Sequence, residues 1–122
     1  MVTGLPEDIA ARMTVFIGEG DEVWSGDSFK FNNTKLPDDD NIEGLGGTNT
    51  NNVWNGQSIG INADGVDIDT FYVRWDDNLL FPDDTSAKID LPTNSDSWNL
   101  VYIILSFRSV SSTDGAITYL IR

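Results

Sequence analysis

The acids of this chain are almost all aspartate: sixteen Asp stand against four Glu. That inequality constrains the fold more than any other feature. Glu is a good helix former, whereas Asp hydrogen-bonds to nearby backbone and draws it into caps and turns. Eleven Asn, eleven Gly, ten Ser and ten Thr push the same way. Yet thirteen of the 122 residues are aromatic, four of them Trp, too many for a disordered acidic segment. Short strands joined by frequent turns satisfy both demands, so an all-β domain is expected.

Charge and missing residue types narrow the function classes. Seven Lys and Arg against twenty acids leave a net charge of −13, which repels phosphate backbones, so nucleic acid and anionic membrane surfaces are poor partners. There is no His and no Cys. The commonest general base and metal ligand is therefore missing, and so are thiol nucleophiles, disulfides and zinc–thiolate sites. No apolar run is long enough to span a membrane, so direct insertion is not expected. The opening MVTGLPEDIA does not read as a signal peptide, and a secreted protein would have lost its signal in any case.

One domain over 1–122 is expected, with 1–9 as a lead-in. Ala11, Met13, Val15 and Ile17 alternate as the inward side of a strand over 10–17. A short strand at 28–31, an Asn32-Asn33 turn and a strand at 34–36 follow, and Pro37 stops the pairing. PDDDNIEGLGGTNTNN at 37–52 is the long acidic, Gly- and Asn-rich loop. Short strands are expected at 53–54 and 58–61, then the NADG turn at 62–65. Over 66–75, Val66 and Ile68 fall on one parity and Phe71, Val73 and Trp75 on the other, which predicts a bulge or corner near Asp69-Thr70. Leu79-Leu80-Phe81 reads as an anchor before a PDD turn, and 85–91 as a half-buried strand.

WNLVYIILSF, from 98 onward, is apolar on both parities, as in a strand buried on both faces at the centre of a sandwich. Leu100, Tyr102 and Ile104 would face one side, and Val101, Ile103 and Leu105 the other. SSTDG at 111–115 reads as a turn into a closing strand over 116–121. About eight short strands with turns at this spacing predict an antiparallel β-sandwich or jelly roll.

Three stretches carry a resemblance: AARMTVFIGEGD at 10–21, FKFNNTKL at 29–36 and DIDTFYVRWDDNLLFPDDTSAKIDL at 67–91. In strand order and spacing the chain resembles the jelly-roll modules repeated in surface proteins of methanogenic archaea and some bacteria. More distantly it resembles galactose-binding-like accessory modules attached to glycosidases. Phe71-Tyr72-Val73 stands where those modules usually carry a valine–threonine pair, and Asp83-Asp84 where Gly-Asn is common. The resemblance implies a fold and an extracellular or cell-surface location, and it transfers no ligand.

The candidate sites are few. Asn62, Asp64, Asp67 and Asp69 offer oxygens at near-alternate positions around Gly65, the donor type that Ca²⁺ takes, so a structural Ca²⁺ is the one cofactor the sequence suggests; the competing reading is an acidic turn and a solvated strand face. Asp38-Asp39-Asp40-Asn41 reads as a solvated run. Trp24 and Trp54 lie in or beside Gly/Asn-rich loops, where an exposed indole would bind a sugar or anchor a partner. No catalytic residue is marked, because Ser lacks its base and no carboxylate pair stands out, so a catalytic role is not expected. Asn32-Asn33-Thr34 is a glycosylation tripeptide, a further hint of a surface location.

The first functional reading is a non-catalytic extracellular or cell-surface structural or adhesive module of a larger envelope protein, whose partners are neighbouring domains, cell-surface proteins or glycans. The second is a carbohydrate-binding accessory domain using the loop tryptophans and a structural calcium. The third is a self-assembling filament subunit whose terminal strand pairs with a neighbour's sheet edge. The fourth is an ordinary acidic domain adapted to high salt.

Overall fold

The computed structural model describes residues 6–19, 24–38, 50–58, 61–62, 65–94 and 96–108. Strand β1 (Ile9–Gly18) is the spine of the molecule. Its alternation puts Ala11, Met13, Val15 and Ile17 on one side, all fully buried, and Arg12, Thr14 and Phe16 on the other. Short hairpins follow: β2 (Phe29–Phe31) and β3 (Thr34–Leu36), then β4 (Gln57–Ser58) and β5 (Ile61–Asn62). Next come β6 (Val66–Arg74), a 3₁₀ turn at Trp75–Asp77, β7 (Ile89–Asp90) and β8 (Asn99–Phe107).

Two three-stranded antiparallel sheets, β6-β1-β8 and β3-β2-β7, carry the architecture, beside the small β4-β5 pair. The fold is an all-β sandwich. The β2–β3 hairpin closes through Asn32 and Asn33, both at positive φ (45° and 68°), the backbone that two-residue hairpin turns demand. Its core residues Phe29, Phe31 and Leu36 meet the inward side of β1 and β6. Phe29 stacks on Phe71 at 4.1 Å, and Trp54 meets Phe71 edge-on at 5.7 Å and Trp98 at 5.9 Å. Among the described residues no helix is long and apolar enough to cross a membrane.

Four expectations are corrected. β1 has a neighbour on each side; β8 pairs with β1, and the residues beyond Arg108, where its other neighbour is expected, lie outside the described residues. Only one parity of β8, Ile103, Leu105 and Phe107, packs on the core, while Ile104 is 55% exposed and Tyr102 43%. There is no bulge at Asp69-Thr70: β6 runs in continuous register with β1 from Val66 to Val73, and the irregularity lies between Ile9 and Ala11. Val53 and Trp54 belong to no strand, and the strand expected over 85–91 is reduced to Ile89–Asp90. Residues 39–49 of the long loop expected at 37–52, and the closing strand at 116–121, lie outside the described residues.

Candidate functional site

Residues directly opposite in an antiparallel sheet point to the same face, so the registers of β6, β1 and β8 fix the composition of the outer face. One row reads Tyr72, Arg12, Ser106; the next Thr70, Thr14, Ile104; the third Ile68, Phe16, Tyr102. The side chains confirm the rows: the Thr14 and Thr70 hydroxyls are 3.0 Å apart, and the Phe16 and Tyr102 rings lie 5.3 Å apart at 60°. None of these rows holds an acid, on a chain of net charge −13. Their one cation is Arg12. Arg74, at the end of β6, is ion-paired to Asp8.

This composition is chemically pointed. Aromatic and Arg side chains are enriched, and Asp and Glu depleted, at the centres of protein interfaces. Soluble domains usually face water with the polar side of an antiparallel sheet. Here that side presents Phe16, Tyr72, Tyr102 and Ile104, and all of β8 from Asn99 to Phe107 is uncharged. Exposed strands in monomers are commonly protected by charge; this one is not.

Of the four residues expected to hold calcium, two share the inward face of β6. Asp67 and Asp69 point inward from β6 and are fully buried. The Asp67 carboxylate accepts hydrogen bonds from Gly56 N and from Ser58 Oγ, each 3.0 Å away. Ser58 Oγ in turn accepts from Ile68 N at 2.7 Å. Asp67 therefore clasps β4 to β6. Asn62 lies on β5, and Asp64 lies outside the described residues. Among the described residues no three acidic side chains are gathered as metal ligands. Asp38, expected in a solvated run, is buried.

A second carboxylate clasp, at Asp27, escaped sequence reasoning. Asp27 is fully buried and its Oδ2 accepts from Trp54 N at 2.7 Å. Burial raises its pKa above the ordinary 3.8; backbone hydrogen bonds, Trp54's foremost, oppose the rise, and the charge of Asp96 adds to it. The segment containing Asp27 is stitched to two others, through Gly26 N to Asn51 O at 2.7 Å and Ser28 N to Pro92 O at 3.0 Å. A lone Asp in a Gly/Ser loop gives no sign of burial.

The two tryptophans part company. Trp24 is 52% exposed, as a platform requires. Trp54 is a correction: its ring is fully buried among Phe71 and Trp98 and offers no face to a sugar. The glycosylation tripeptide also changes meaning. Asn32 donates from Nδ2 to Leu79 O at 2.7 Å and accepts at Oδ1 from Lys88 N at 2.8 Å, so its amide is spent holding 79–88 against the hairpin. Comparison of the chain with protein-family models, curated proteins and solved structures gives no match.

Proposed function

We propose that the domain is a non-catalytic structural or adhesive module of an extracellular or cell-surface protein, and that it works by presenting the outer face of β6-β1-β8 to a protein partner. The observation that carries this reading is that the three outer rows of β6-β1-β8 hold Phe16, Tyr72, Tyr102 and Ile104, one cation, Arg12, and no acid, on a chain of net charge −13. A face left bare in water exposes apolar area whose burial is worth roughly 25 cal/mol per Å². Contiguous exposed apolar patches of this kind mark interaction surfaces.

The test is adhesion. The domain, immobilised through a terminal tag, is presented to envelope material from the cells that make it and to a glycan array. Retention of envelope protein, lost in the Tyr102→Lys, Ile104→Lys double variant at unchanged melting temperature, supports the reading. Retention by that variant overturns it. Glycan binding abolished by Trp24→Ala would replace it with the carbohydrate-binding reading.

A further inference from the structure

The three acid-free rows have their complement on the same molecule. Phe81 is 53% exposed, and Asp83 and Asp84 beside it are exposed acids. The turn is built rather than loose: Phe81 N donates to Asp84 Oδ2 at 2.8 Å, and Asp84 N donates to Phe81 O at 3.0 Å. It therefore presents an aromatic tip flanked by two acids, the inverse of an aromatic surface with Arg12 in its end row. Interfaces pair such potentials, which fixes register and rejects wrong partners.

The turn does not serve its own molecule's outer face. Asn32, in the hairpin of the opposite sheet, holds 79–88 by its side chain at Leu79 O and Lys88 N and by its backbone N at Lys88 O, 2.8 Å away. Knob and socket thus belong to different layers of the sandwich. Two complementary but different surfaces on one body make a heterologous contact, which propagates instead of closing into a pair.

We propose that the outer face of β6-β1-β8 receives the Phe81–Asp84 turn of a second copy of this chain, so that copies join head to tail. The inference rests on the reading of that face as a docking surface and names its occupant. Phe81 packs among Phe16, Tyr102 and Ile104, while Asp83 approaches Arg12. Pairing through two outer faces would instead set Arg12 against Arg12 and leave the acidic turn unused.

Sedimentation velocity on the full chain decides it, from about 10 μM to about 1 mM, where weak contacts populate. The socket variant is Tyr102→Ser with Ile104→Lys, and the knob variant is Phe81→Ala with Asp83→Asn; Asp84 is kept because it shapes the turn. All four changes fall on exposed side chains, and unchanged melting curves verify the fold. The expected result is that wild type grows past the dimer with concentration, that each variant alone stays monomeric, and that an equimolar mixture of the two stops at the dimer, since one intact knob meets one intact socket. A wild type monomeric at the highest concentration overturns the proposal, as does a knob variant that associates like wild type, or a closed dimer that survives loss of Phe81. A monomer that still retains envelope protein through Tyr102 and Ile104 would leave the module reading standing with another partner.

Discussion

Asp27 and Asp67 hold the 54–58 segment by opposite strategies, which separates them in experiment. Asp67 meets donors from Gly56 and Ser58, so Asp67→Ala strands a buried N–H and a buried hydroxyl. Leaving a buried donor unsatisfied costs about 1–3 kcal/mol and such losses are not additive, so a loss of about 2–4 kcal/mol is expected in urea unfolding. A loss below about 1 kcal/mol would mean that the clasp is idle. Asp27 is held at a raised pKa by burial, with the Asp96 charge adding to it. The native state therefore binds its proton more tightly than the unfolded state does. This contribution is full below 3.8 and is lost as pH rises through the raised folded value. Asp27→Asn keeps an oxygen for Trp54 N and removes the charge. The melting temperature of the variant relative to wild type should climb as pH rises from 3.8 through the raised folded value. A difference that is flat or falls with pH would contradict the assignment.

β6 shows where sequence reading failed. With apolar residues assumed to face inward, Val66 and Ile68 forced a phase change before Phe71 and Val73. The strand keeps a single phase because Asp67 and Asp69 take the inward positions and Val66 and Ile68 turn outward. β8 misled in the same way: apolarity on both parities read as burial on both faces, whereas one parity packs on the core and Tyr102 and Ile104 on the other are exposed. A hydrophobic pattern reports that a side chain avoids water, not whether its own chain or another covers it. What was legible was local. The alternation of 11–17 follows from a period-two apolar pattern and the Asn32-Asn33 turn from a local conformational preference, and both stand in the structure. The outer face was illegible because it is assembled from three strands whose register no single segment encodes. Two substitutions separate the roles of β1 and β8. Val15→Asp puts an unpaired charge in the core opposite Asp69, costing several kcal/mol by about the amount that abolishes a domain this small, and far-UV CD should lose its strand signal. Ile104→Lys, on the exposed parity, should shift stability by no more than about 0.5–1 kcal/mol. Unfolding by Ile104→Lys and tolerance of Val15→Asp would restore β8 as the central strand.

At the scale of the whole molecule, net charge and local charge act at different ranges. Two bodies of charge −13 repel, and at about 10 mM ionic strength the Debye length of about 30 Å lets the whole of each body be felt by the other. At about 150 mM it falls to about 8 Å, and only charges within the contact itself count. There, Arg12 on one copy and the acids beside Phe81 on the next attract. Toward about 1 M even these are screened, with a length of about 3 Å, while the apolar part of the contact persists. Head-to-tail association is therefore expected to be weakest at low salt, strongest near physiological ionic strength and intermediate at high salt. Arg12→Gln should remove the intermediate maximum without removing the low-salt repulsion, because it raises the net negative charge and deletes the one cation in the rows. The measurement is the weight-average sedimentation coefficient at fixed protein concentration across the salt series. A monotonic rise in wild type, matched by Arg12→Gln, would show that screening of the overall charge alone governs the contact and that Arg12 has no acid opposite it.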